Sequence, residues 1–135
     1  MADIKIFNPV ELSKPRSPYM QVSRVRTSEF AFIAGQVPVD ASGTLIGPDD
    51  FEAQCAQVFA NIHAALRSVG AEWKNVVEFT SYLVRSEDAP AFVAYRRRAF
   101  SAMFPDGAYP PNTLLIIERL AHESYLLEVQ TTAAL

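Results

Sequence analysis

The residue best suited to chemistry is Glu128. It stands in a stretch that alternates Tyr125, Leu127 and Val129 against Leu126, Glu128 and Gln130. Successive side chains of a strand point to opposite faces. If the Tyr125 set packs on the core, Glu128 faces the other side. A carboxylate on a covered second face is suited to orient a water or to carry a proton. A solvated strand carboxylate is the competing reading, and it is the usual state of glutamate. Gly35-Gln36 ends an apolar stretch, and a glycine there permits close approach to backbone amides; a plain turn is the alternative. Tyr19 follows Pro18 in a proline-punctuated segment, where its ring and hydroxyl could cap a pocket or lie on the surface.

Other chemistries find few residues. His63 and His122 lie 59 positions apart, too far for a paired helical metal motif, and one cysteine excludes an internal disulfide and a Cys-based zinc cluster. Cys55 falls in a helical core stripe and reads as an inert thiol. No glycine elbow flanks Thr80 or Ser81, and no phosphate loop or dinucleotide fingerprint occurs. The run Arg96-Arg97-Arg98 invites a nucleic-acid reading. However, 12 Lys and Arg stand against 15 Asp and Glu, a net charge of −3, which gives no general attraction to nucleic acid or anionic membrane. Consecutive helical residues point 100° apart. Arg97 and Arg98 therefore fall outside the apolar stripe, while Arg96 sits at its edge, placed to snorkel or to pair with an acid at an interface.

The elements that must position these residues are legible. Ile4–Phe7, Gln21–Arg26 and Phe30–Gly35 read as strands separated by proline-rich and turn segments. A helix is expected over Phe51–Val69, capped by Asp49 or Asp50, with a stripe of Phe51, Cys55, Val58, Phe59, Ile62, Leu66 and Val69, and stopped by Gly70. Asn75–Arg85 reads as a strand. A second helix follows, capped by Ser86, with Pro90 near its start and a stripe of Phe92, Tyr95, Ala99, Phe100 and Met103. Asn112–Leu120 and Tyr125–Ala133 are the last strands. At 135 residues the chain is expected to be one domain, 1–135, with a core that needs no staples. No apolar run approaches the ~18 residues of a membrane span, and the opening Met-Ala-Asp-Ile-Lys is no secretion signal. A cytoplasmic, cofactor-free and metal-free protein is the expectation.

The order β-β-β-α-β-α-β-β predicts an α+β fold, with a six-stranded mixed sheet and two helices on one face. Val77, Phe79 and Leu83 against Val76, Tyr82 and Val84 read as apolar on both faces of the fourth strand, and Leu114 to Ile117 repeat this in the fifth. With no third helix to cover the second face, a partner subunit is the economical cover.

Five segments together resemble the Rid (YjgF/YER057c/UK114) family: Ser17-Pro18-Tyr19; Phe32 to Pro38; Ala53-Gln54 with Asn61-Ile62; Tyr109 to Thr113 with Glu118-Arg119-Leu120; and Leu126 to Val129. The resemblance implies a chorismate-mutase-like subunit in a homotrimer, with small-molecule clefts between subunits. It also implies hydrolysis of reactive enamines and imines to ketones and ammonia without a cofactor. It carries cleft-lining roles to Tyr19, Gly35 and Gln36 and the catalytic role to Glu128; Asn112 and Thr113 are further candidate substrate-binding residues. Deaminating members have a carboxylate-binding arginine where this chain has Asn112, and many have cysteine where it has Leu114. Asparagine donates hydrogen bonds but carries no charge, so imines derived from amino acids are expected to be poor substrates unless Arg96 reaches the cleft. A non-catalytic metabolite-binding trimer is the alternative. A ribonuclease or translation inhibitor ranks last, because Arg96 to Arg98 form the one cationic cluster.

Overall fold

The computed structural model describes residues 1–135. Its first strands, β1 (Asp3–Phe7) and β2 (Val22–Arg26), pair antiparallel. β3 (Phe30–Gln36) leads through a loop that folds back in an antiparallel Val39–Leu45 bridge to helix α1 (Phe51–Ser68). β4 (Val76–Leu83), helix α2 (Ala89–Met103), β5 (Asn112–Ile116) and β6 (Leu127–Ala134) complete the chain.

Both helices begin and end for local reasons. Asp50 caps α1 by accepting from the Ala53 amide at 3.1 Å, which satisfies one of the free amides of the first turn. Gly70, at φ +74°, closes the other end in the left-handed region, and the Ala71 amide donates back to Leu66 O at 2.9 Å. The expected stripe is buried from Phe51 to Leu66, but Val69 is left exposed and Gln54 is buried in addition. Ser86 to Asp88 form a separate one-turn 3-10 segment before α2, whose first turn carries Pro90. Along α2 the buried line is Phe92, Arg96 and Phe100, at spacing four.

The six strands divide between two ladders. β1 and β2 make one; the other has the order β3-β6-β4-β5, with β4 and β5 parallel and the remaining pairs antiparallel. The expected continuous six-stranded sheet is interrupted between β2 and β3. There Thr27 Oγ1 donates to Leu135 O, and the Leu135 amide donates to Glu29 O at 3.0 Å. These bonds commit the connecting residues to the C-terminus. β2 instead reaches β4, where Ser23 Oγ donates to Val77 O at 2.7 Å.

One cluster forms the core, from Phe51, Cys55, Val58, Phe59, Ile62 and Leu66 of α1 through Phe79, Leu83, Leu127 and Val129 of the sheet to Phe92 and Phe100 of α2. The reading of β4 as apolar on both faces is corrected. A register shift between Val76 and Glu78 lets both Val76 and Val77 be buried. Beyond it the strand alternates, with Phe79, Ser81 and Leu83 inward and Glu78, Thr80 and Tyr82 outward. The uncovered face is thus polar along its middle and apolar at its edges, where Phe32 is 81% exposed and Leu115 40%. No helix is long and apolar enough to cross a membrane.

Candidate functional site

Glu128 and Gly35 meet because β3 breaks register. Ile33 pairs with Thr131 but Gln36 pairs with Val129, so Ala34 and Gly35 together face Gln130. The extra residue carries Gly35 beneath the Glu128 side chain. A Cβ at Gly35 would lie 2.0 Å from Glu128 Oε1 and 2.7 Å from its Cγ and Cδ. The Glu128 carboxylate occupies the space a side chain at 35 would take, and no positive φ is involved. Tyr82 is the β4 partner of Glu128. Gly35, Glu128 and Tyr82, with Ile117, Leu120 and Gln130, line an open cavity of about 260 Å³ on the uncovered face.

Gln36 is tied to its own strand. Its Nε2 donates to Ala34 O at 3.1 Å, folding the side chain back across the bulge. The chain beyond it is held by Asn61, whose Nδ2 donates to Val37 O at 3.0 Å and Val39 O at 2.8 Å. The other side of the cavity is held by Gln54. Its Nε2 donates to Gly47 O (3.1 Å) and Ser124 O (2.9 Å), and its Oε1 accepts from the Leu126 amide (2.8 Å). This fully buried amide fixes the entry to β6 two residues before Glu128. Sequence reasoning left Gln54 without a role; the available signal was an uncharged polar residue one position from a helical core stripe.

Asn112 and Tyr19 lie elsewhere in the protomer. Asn112 opens β5 opposite Phe79, on the helix side of the sheet, and its Oδ1 accepts from the buried Ser81 hydroxyl at 2.7 Å. That bond leaves Nδ2 as the end free to donate. Thr113 is exposed on the uncovered face, opposite Thr80. Tyr19 lines a second cavity, of about 520 Å³, with Ser13, Lys14, Pro15, Arg16 and Ser17. Its loop is fastened to α2 by Arg97 Nη2 donating to Arg16 O at 2.6 Å, and to the approach of β5 by the Met20 amide donating to Tyr109 O at 3.1 Å. Within one chain, Gly35 and Glu128 share a cavity that includes neither Tyr19 nor Asn112.

The remaining candidates have structural partners. His63 Nε2 lies 2.9 Å from a Glu72 carboxylate oxygen, and its ring stacks on Trp73. His122 Nδ1 accepts from the Ser124 amide at 3.1 Å within its turn. Burial pushes the Cys55 thiol far up, which leaves it unreactive. Arg98 pairs with Glu52. Arg96 is buried without any acid beside it. No three His, Cys, Asp or Glu side chains converge in a metal-binding arrangement.

The architecture has close counterparts. The Rid-family protein YyfB from Yersinia pestis superposes with a TM-score of 0.86 at 30% identity, over 98% of each chain. A RutC family protein of Pyrococcus abyssi, PYRAB12510, is 31% identical over 120 residues, 89% of this chain and 88% of the relative. AldR of Lactococcus lactis, whose name is that of a regulator, is 30% identical over 125 residues, 87% of this chain and 97% of the relative. The family model described as Endoribonuclease L-PSP matches residues 11–135. That span holds all the strands but the first, both helices and every candidate residue from Tyr19 to Glu128, and on it the chain belongs to the Endoribonuclease L-PSP family, the YjgF/Rid family.

Proposed function

We propose that the chain is a cofactor-free hydrolase of a reactive imine, enamine or related small metabolite, working in clefts between the subunits of a homotrimer. Family membership supports a deaminase-like or metabolite-binding role in general. The observation that carries the finer reading is the placement of the Glu128 carboxylate over Gly35, open to a cavity walled by Tyr82 and Leu120. In this reading Glu128 orients a water and takes its proton as the oxygen attacks the C=N carbon. Glu128 passes that proton to the nitrogen, and the adduct collapses as its hydroxyl proton also moves to the nitrogen, giving a ketone and ammonia. Tyr19, Asn112, Thr113 and the backbone at Gly35 hold the polar atoms of the substrate. Tyr19 and Asn112 lie outside the cavity of Gly35 and Glu128 in their own chain, so a complete cleft joins Gly35 and Glu128 of one protomer to Tyr19 and Asn112 of the next. The exposed Phe32 and Leu115 at the edges of the uncovered face suit such a contact.

A panel of small imines, generated in place and assayed by competition with semicarbazide, tests the reading. Glu128→Gln keeps the shape and removes the base. Turnover is expected to fall by roughly 10²–10⁴, and unchanged turnover with folding intact removes Glu128 from the mechanism. Light scattering at micromolar concentration tests the trimer; a monomer refutes it.

The second reading is a metabolite-binding trimer without turnover. The similarity to AldR, with its regulator's name, favours it, and ligand binding with no turnover on any member of the panel selects it. The nuclease reading finds no free cations in the run Arg96 to Arg98. Arg98 is paired with Glu52, Arg97 is bonded to Arg16 O, and Arg96 is buried.

A further inference from the structure

In sequence, Arg96 to Arg98 read as the one cationic cluster; strand pairing makes a second. The antiparallel register sets Lys5 of β1 directly opposite Arg24 of β2, and Asp3 directly opposite Arg26. Alternation puts Lys5, Arg24 and Arg26 on one face of this ladder, all exposed. Ile4 and Ile6 turn the other way and line an apolar cavity with Trp73, Met103 and Phe104.

Like charges directly opposite one another destabilise a pair of strands. Lys5 and Arg24 stand in that relation with nothing in the chain to relieve it. The ion pairs of the protein are His63 with Glu72, Arg85 with Asp88 and Arg98 with Glu52. Asp3, the one acid on the two strands, therefore pairs with none of the three cations. Of the side chains on these strands only that of Ser23 makes a hydrogen bond, to Val77 O. Asp3, Lys5, Arg24, Val25 and Arg26 line a cavity of about 280 Å³. Three cations against one acid leave an excess of two positive charges there, in a chain whose net charge is −3. The cavity shares no residue with those of Glu128 and Tyr19.

We propose that this face of the β1–β2 ladder is a phosphate site, and that its ligand is the phosphate monoester of a small metabolite. Opposite residues of the ladder are about 5 Å apart at Cα, and residues two apart on one strand about 7 Å. Three long side chains so mounted reach a single anion from three corners. A phosphate monoester carries a charge of about −1.5 to −2 at neutral pH, which matches the excess of two; a carboxylate leaves one cation unmatched. The guanidinium fork fits two phosphate oxygens, and lysine adds a point charge. The cavity is about nine times the ~30 Å³ share of one water, whereas free phosphate brings four oxygens, so there is room for the first atoms of the alcohol part. Val25 is the one apolar residue of the lining, so the phosphate is recognised rather than what it is attached to.

Glycerol 3-phosphate is the probe, titrated by calorimetry against the full chain at neutral pH and fixed ionic strength, beside inorganic phosphate and acetate. The wild type is expected to bind it about tenfold or more tightly than acetate, and more tightly than inorganic phosphate. Arg24→Gln is expected to weaken binding by about tenfold, and Asp3→Asn, which removes the opposing charge, to strengthen it. Lys5→Glu turns the like-charged pair into an opposite one. It is expected to unfold at no lower temperature than the wild type while losing the phosphate, which separates loss of the site from loss of the fold. Glu128→Gln is expected to bind the probe as the wild type does, so the result stands apart from the hydrolase reading. No binding of glycerol 3-phosphate, affinity no greater than that for acetate or for inorganic phosphate, or undiminished affinity in Arg24→Gln and Lys5→Glu overturns the proposal. Binding of an RNA oligonucleotide without binding of the monoester also overturns it.

Discussion

Gly35→Ala probes the contact on which the candidate site is built. The added Cβ would lie 2.0 Å from Glu128 Oε1 and 2.7 Å from two further carbons of that side chain. Ordinary carbon contacts need about 3.5 Å, so the carboxylate must retreat by roughly 1.5 Å. Glycine's special backbone freedom is not in use at this position, and the atoms in the way belong to a flexible side chain. The stability cost is therefore that of an unfavourable rotamer, about 1 kcal/mol, or roughly 3–5 °C in Tm for a chain of this size. The functional cost is larger, because a displacement of about 1 Å at a reacting group costs on the order of 10²-fold in rate. Thermal unfolding of Gly35→Ala, Glu128→Ala and the double variant reads the first effect. The alanine at 35 is expected to cost about 1 kcal/mol less once the Glu128 side chain is gone, a coupling typical of residues in contact. Imine turnover reads the second effect. If Gly35→Ala is equally destabilising in both backgrounds, or if its turnover matches the wild type, the argument from close approach is wrong.

Three further outcomes follow from the packing. Arg96→Met is expected to stabilise the unliganded protein at pH 7 by about 1–3 kcal/mol, measured by urea unfolding, since the depressed pKa of Arg96 means that its charge opposes folding. In the wild type the folded chain releases this proton at a pKa of about 10, below the ordinary value at which the unfolded chain releases it. The cost is accordingly complete below pH 10 and is relieved as pH rises above 10. Gln54→Leu removes three hydrogen bonds and leaves the Leu126 amide without its acceptor. A loss of about 3 kcal/mol in denaturant unfolding is expected, with reduced turnover because the entry to β6 is no longer held. Ser81→Ala releases Asn112 and is expected to cost about 1 kcal/mol and to raise KM more than it lowers kcat.

What the sequence determines by itself is whatever depends on neighbours along the chain. Asp50 and Gly70 bound α1 because capping and left-handed closure involve residues within one or two turns. The alternation around Glu128 puts it on the face away from Val129 for the same local reason. The resemblance to the Rid family is also carried by short segments in order, and the fold agrees with it. The tertiary structure alone decides which distant segments pair. The bulge that brings Gly35 beneath Glu128 exists only when β3 lies beside β6, more than 90 residues away. The register shift after Val76, which makes an apparently two-sided strand one-sided, depends on β6 likewise. Gln54 is one position off the helical stripe and polar, yet it is buried, because its three partners come from the loop before α1 and from the approach to β6. Arg96 is the sharpest case. Its spacing from Phe92 and Phe100 places it on the inward line of α2. Whether such an arginine snorkels to water or stays enclosed depends on what packs over it, and no local pattern encodes that.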